Sequence, residues 1–155
     1  MQRSSFRLSR PLKATVYLAF GVLLLTGAVL MFPDYLPSRE SWEKLPALSR
    51  KIHGGAAMLA LLVLGALTAH VKRGWKAAQN RLSGALVLAL NAFLIATGYG
   101  LYYAADEDFR AWLTRWHGWI GLGTLVLLPA HVVAGRIIIR RLHDRKMQQR
   151  MHPHH

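Results

Sequence analysis

Residues 116–136 read W-H-G-W-I-G-L-G-T-L-V-L-L-P-A-H-V-V-A-G-R, and this segment decides how the rest of the chain is read. It is apolar enough and long enough to cross a bilayer, yet it holds two histidines, His117 and His131. Their fourteen-residue separation is about 21 Å of helix at about 1.5 Å per residue, comparable with the hydrocarbon core of a membrane. At about 100° per residue the second ring returns to within roughly 40° of the first. One helix face therefore carries an imidazole near each membrane surface. Ionisable side chains inside a bilayer are costly, and they mark functional sites.

A second segment shares the pattern. Residues 52–71, I-H-G-G-A-A-M-L-A-L-L-V-L-G-A-L-T-A-H-V, form an apolar span with His53 and His70 near its ends. Their seventeen-residue spacing gives about 25 Å of rise and an offset of roughly 100° in a straight helix. Left-handed winding toward 3.5 residues per turn reduces that offset to roughly 50°. Two helices with two histidines each are the minimum that holds two haems by paired imidazoles.

Composition agrees with a membrane setting. The chain has 155 residues, 53% of them hydrophobic, with several long uncharged runs, which excludes an ordinary soluble domain. It has no cysteine, so disulfides, iron–sulfur ligation and covalent C-x-x-C-H haem attachment are excluded within it. Any haem here is held non-covalently, as haem b.

The expected architecture is all-α: a transmembrane four-helix bundle. Residues 1–13 form a basic arm, 14–141 the four-helix domain and 142–155 a basic, histidine-containing tail. The first span covers 14–32 and ends M-F-P-D, without the small-residue site of a cleaved leader, so it reads as an uncleaved helix. Residues 33–50 are a polar connection with three prolines, with Trp42 as an interfacial anchor and a short surface helix expected over 38–43. The third span covers 82–103. In it Asn91, Thr97 and Tyr99 are candidates to line a quinone pocket, or equally to bond between helices. Trp112, Trp116 and Trp119 form an aromatic belt at the start of the fourth span. Apart from the H-G echo at His53 and His117, no repeat is evident. His143 and the final M-H-P-H-H read as a solvated basic tail rather than a metal site.

Charge sets the orientation. The N-terminal arm, the 72–81 loop and the stretch from Arg136 onward hold 14 of the 20 Lys and Arg residues and a single acid, Asp144. The opposite connections hold six basic residues and six acids. The net charge of +13 thus lies on one side, which the positive-inside rule makes cytoplasmic, with both termini inside. It does not signal nucleic-acid binding. Asp106-Glu107-Asp108 is the densest run of one sign on the outer side, and a candidate patch for docking a basic partner.

This topology sorts the histidines into an outer pair, His53 and His117, and an inner pair, His70 and His131. The pairs arise from depth alone, with a kink expected at Pro129. Glycines cluster beside the rings: Gly54, Gly55, Gly118, Gly121, Gly123, Gly65 and Gly135. They serve close helix packing, and they also leave room for a porphyrin face. Arg50, Lys51 and Arg115 outside, and Lys72, Arg73 and Arg136 inside, are placed to pair with haem propionates; interfacial snorkelling is the alternative use of each.

The H-G-G at His53, A-H at His70, W-H-G-W-I-G at His117 and P-A-H at His131 together resemble a small bacterial four-helix di-haem cytochrome b. The likeness is to the membrane cytochrome b subunits of respiratory oxidoreductases, and it extends over essentially the whole chain. The b subunits of nickel hydrogenases and formate dehydrogenases take a ligand from their first helix, and this first span has no histidine. Two ligands on each of two helices instead resemble the haem-bearing core of the cytochrome bc family. The resemblance implies two haem b groups with His53, His117, His70 and His131 as axial ligands. It further implies electron transfer across the bacterial inner membrane between the quinone pool and a periplasmic c-type cytochrome or oxidoreductase subunit.

Two other function classes remain to be separated from this one. A histidine-lined metal or proton path wants acids within the spans, and the sequence has none there. A haem-free membrane anchor leaves four histidines at matched depths without a use. No residue set suggests nucleophilic or acid–base catalysis, so the chain is expected to act as an electron-transfer subunit of a larger complex.

Overall fold

In the computed structural model, residues 8–33, 44–76 and 80–151 are described, and their regular structure is entirely helical. The helices are α1 (Arg10–Met31), α2 (Leu45–Ala66), α3 (Thr68–Lys76), α4 (Arg81–Tyr103) and α5 (Glu107–Met151). Four segments are long and apolar enough to cross a membrane: α1, α2, α4 and Glu107–Arg141 of α5. A helix bonds every backbone group within itself, which is what a segment surrounded by hydrocarbon requires. The expected surface helix over 38–43 falls outside the described residues.

Local chemistry explains where the helices begin. Ser9 caps α1, its hydroxyl oxygen accepting from the Leu12 N–H at 3.4 Å, and Pro11 occupies the first turn, so α1 takes in part of the basic arm. Pro46 does the same for α2, which starts at Leu45 rather than at the apolar run. The carboxylate of Asp106 accepts from the Phe109 N–H at 2.7 Å, and Glu107 and Asp108 fill the first turn of α5. Negative charge there complements the helix dipole, so the acidic run has a local role at the helix start. The Arg110 guanidinium donates back to the Ala104 carbonyl at 2.6 and 3.1 Å, clamping the end of α4 to the start of α5. Arg81 donates to the Trp75 carbonyl at 2.9 Å in the same way. At its far end α5 runs on through the expected tail to Met151.

The second span is not one uniform helix. At Leu67 the chain tightens: its N–H is shared between the Val63 and Leu64 carbonyls at 3.0 and 3.2 Å, and its ψ is −6°. The Thr68 hydroxyl takes the Gly65 carbonyl at 2.6 Å. Each residue in a three-per-turn conformation adds about 20° of rotation over the α value. That tightening works against the 100° shortfall expected between His53 and His70, at a localised point rather than by gradual supercoiling.

α1 packs along α2 and α4 along α5, with a smaller contact between α1 and α5. The histidine-bearing helices α2 and α5 are thus each seated on a partner helix rather than on each other. The buried residues are small or polar for the most part, among them Ala19, Ala60, Ser49, Asn91, Thr97 and Thr124. Large apolar side chains such as Leu25, Met58, Leu62 and Val126 point outward, each more than 70% exposed. That inversion suits helices that approach closely within lipid. On α5 the Phe109 and Trp112 rings stack at 6.0 Å, and Trp112 meets Trp116 at 6.2 Å.

Asn80, immediately before α4, is the one non-glycine residue with positive φ (54°) among those described. Its amide also donates to the His131 carbonyl at 3.3 Å. Asn80→Ala is expected to destabilise the fold by about 1–2 kcal/mol, from left-handed strain and the lost hydrogen bond. Asn80→Gly should recover the backbone part. Denaturant titration of the three proteins in micelles measures the order.

Candidate functional site

The site is built from hydroxyls outward. Thr26 on α1 donates its hydroxyl proton to the Val22 carbonyl at 2.6 Å, and its oxygen lies 2.9 Å from Nδ1 of His53. With its proton already given away, that oxygen can only accept. Nδ1 of His53 therefore carries the ring proton and Nε2 keeps the lone pair. Thr97 on α4 repeats the arrangement, donating to the Phe93 carbonyl at 2.8 Å and standing 2.9 Å from Nδ1 of His117. A metal-binding imidazole is oriented in this manner, with one nitrogen tied down and the other presented.

Glycine follows the hydroxyl in both places. A Cβ at Gly27 would stand 3.4 Å from Cε1 of His53, and one at Gly98 would stand 3.3 Å from Cε1 of His117. The two rings face each other with centroids 6.2 Å apart and planes at 71°. A nitrogen–metal bond of about 2 Å, plus roughly 1 Å from nitrogen to ring centre, places two imidazoles on one ion at about 6 Å between centroids. The outer pair has the spacing of two axial ligands.

At the other end, the Ser83 hydroxyl is bonded to the Asn80 side-chain oxygen and lies 2.9 Å from Nδ1 of His131. A Cβ at Gly84 would meet Cε1 of His131 at 3.7 Å. The Nδ1 of His70 is buried and has no hydrogen-bond partner among the described residues. The structure thus brings the His53 and His117 rings together.

Arg50, Lys51, Arg115, Lys72, Arg73 and Arg136 are all exposed. Gly55, Gly65 and Gly123 have open space where a side chain would stand, while Gly54 faces the Tyr102 hydroxyl and Gly118 faces Met31.

The three residues considered for a quinone pocket do not converge. Asn91 is buried and bonds to its own helix at the Val87 carbonyl (2.8 Å), Thr97 holds His117, and Tyr99 is exposed and packs on Tyr103. The side chain of His143 and residues 152–155 lie outside the described residues. No group of three or more His, Cys, Asp or Glu is arranged to hold a metal ion among the described residues.

Sequence reasoning missed Thr26, Ser83 and Asn80. A signal for the hydroxyls was present: T-G at 26–27, S-G at 83–84 and T-G at 97–98. Ser83 and Thr97 are fourteen residues apart, as are His117 and His131. No protein-family model matches the chain, and no curated protein or solved structure is significantly similar to it.

A methyl at Gly98 would crowd Cε1 of His117, whereas one at Gly84 would make an ordinary contact with His131. Alanine also favours the helix by about 1 kcal/mol over glycine. Gly84→Ala should be at least as stable as the parent. Gly98→Ala should lose that gain and about 1 kcal/mol more to overpacking. Thermal unfolding in micelles of the two variants reads the difference.

Proposed function

We propose that the protein is a di-haem cytochrome b of the bacterial inner membrane. On this reading it carries electrons across the bilayer between the quinone pool and a periplasmic redox partner, as a subunit of a larger respiratory complex. The observation that carries this reading is the outer imidazole pair, its rings 6.2 Å apart with each Nδ1 on a threonine. A packing contact between two histidines does not require both rings to be locked in the same tautomer by separate helices. A haem-free anchor does not use that lock either.

In this proposal His53 and His117 hold the outer haem, and His70 and His131 hold the inner one. Bound there, each haem supplies a reversible one-electron couple. The chain's own residues do the rest. Thr26, Thr97 and Ser83 accept from Nδ1–H, which fixes the tautomer and raises the basicity of Nε2. Two imidazoles at each site would hold the iron and leave no place for oxygen, which suits electron transfer. Arg50, Lys51 and Arg115 on one side, and Lys72, Arg73 and Arg136 on the other, are the cations for the propionates. With the basic side taken as cytoplasmic, both termini are inside and the tryptophan belt lies at the periplasmic surface.

The purified protein is expected to show b-type bands on reduction by dithionite, with about two acid-acetone-extractable haems per chain. His53→Ala or His117→Ala should remove or convert one haem, and His70→Ala or His131→Ala the other. A colourless, folded parent defeats the reading. Loss of only one haem from the double variant His53→Ala/His131→Ala defeats the pairing.

A further inference from the structure

One buried imidazole nitrogen lacks a partner, and the chain's own register supplies it. In the α4–α5 hairpin, the hydroxyls Ser83 and Thr97 are fourteen residues apart, and so are the histidines they hold, His131 and His117. Equal spacings on two antiparallel helices keep each hydroxyl level with its ring, because the rise per residue is the same on both. In the α1–α2 hairpin, Thr26 holds His53. The second histidine, His70, comes seventeen residues after His53. Seventeen residues before Thr26 stands Ser9.

The match is more than a number. Ser83 lies within R-L-S at 81–83, and Ser9 lies within R-L-S at 7–9. Each precedes a threonine-glycine on the same helix, and each hairpin then presents two histidines on its second helix. The chain is therefore a repeat of one helix-hairpin pattern, with spacings of fourteen in one copy and seventeen in the other. Three of its four hydroxyl–imidazole bonds are made at 2.9 Å. The fourth imidazole has its Nδ1 buried without a partner, a condition that costs about 1–3 kcal/mol.

We infer that Ser9 is the fourth hydroxyl, positioning His70 by accepting from its Nδ1–H. Ser9 is described as the cap of α1, with extended backbone (φ −58°, ψ 152°), so its side chain is free of the helical phase that constrains Thr26. Among the described residues its side-chain oxygen is engaged by the Leu12 N–H at 3.4 Å, a long bond that leaves a lone pair for the imidazole. On the second helix, the tightening at Leu67 adds rotation between His53 and His70. The inference rests on the proposed haem ligation for its consequence, but the contact itself does not.

Ser9→Gly and Ser9→Thr separate the two roles of the residue. Both side chains are accepted at a helix cap, so α1 is retained in each, and only threonine keeps the hydroxyl. Two readouts are taken on full-length protein. The first is ¹⁵N NMR of histidine-labelled protein in micelles, reduced by dithionite so that any haem is diamagnetic. Parent and Ser9→Thr should show His70, assigned by its loss in His70→Ala, with Nδ1 protonated in a slow-exchanging hydrogen bond. Ser9→Gly should lose that signature, with His53, His117 and His131 unmoved. The second is a potentiometric titration of the haem bands. Loss of an acceptor lowers imidazole basicity, so Ser9→Gly should raise one midpoint, the same one raised by Ser83→Ala and not the one moved by Thr26→Val. Parent-like His70 signals in Ser9→Gly overturn the inference, as does a shift of the midpoint that Thr26→Val moves. A parent without haem defeats the proposed function while the NMR comparison still decides the contact.

Discussion

A threonine hydroxyl that has already given its proton to its own helix can do one thing with a neighbouring imidazole, which is to accept from it. The rest of the structure depends on that constraint. The Thr26 proton goes to Val22 and the Thr97 proton to Phe93, so neither oxygen has a second role open to it. In water such a bond competes with solvent and fixes little. Within an apolar slab the competitor is absent, and an unpaired polar group costs several kcal/mol. The tautomer of His53 and His117 is therefore set by helix packing, and Nε2 is the nitrogen left over on each ring.

The helix arrangement follows from the same requirement. Each histidine-bearing helix needs a hydroxyl-bearing neighbour at matching depth, so α2 lies along α1 and α5 along α4. The two hairpins then meet through less extensive contacts, and the rings of His53 and His117 face one another between them. A bundle packed for maximum contact between α2 and α5 would have closed that space with side chains. The small and polar interior, and the large apolar residues turned outward, belong to a protein whose helices are held by close approach and polar bonds rather than by an oily core.

The fold was legible in the sequence because long apolar runs and the distribution of charge act at the scale of whole segments. The spans around 14–32 and 82–103 differ from α1 and α4 by a few residues at their starts, where Ser9 and Arg81 lie. The facing of His53 and His117 was legible too, since axial rise needs only counting. What stayed hidden were features set by local hydrogen bonds. The tightening at Leu67 depends on how one N–H divides between two carbonyls, and nothing in L-G-A-L-T announces it. The capping role of Asp106 was hidden as well, because charge is visible in a sequence and capping geometry is not. Thr26 passed for an ordinary span residue, and Thr97 was read toward a quinone, because a hydroxyl's partner lies on another helix and has no fixed sequence offset.

The hydroxyl and the glycine after it are best understood together. Consecutive helical residues project about 100° apart, so a ring lying across the seam between them touches both. The first residue supplies an acceptor for Nδ1, and the second faces the adjacent Cε1, where an added Cβ would stand at 3.4 Å at Gly27, 3.7 Å at Gly84 and 3.3 Å at Gly98. The room is tightest at Gly98, while at Gly84 a methyl makes an ordinary contact. At Ser9 the following residue is Arg10, not glycine. There the backbone is extended at the cap rather than helical, so a ring bonded to Ser9 does not have to lie against the next residue. The His70 ring, on the short helix α3 beyond the tightening at Leu67, is the one whose Nδ1 has no partner among the described residues.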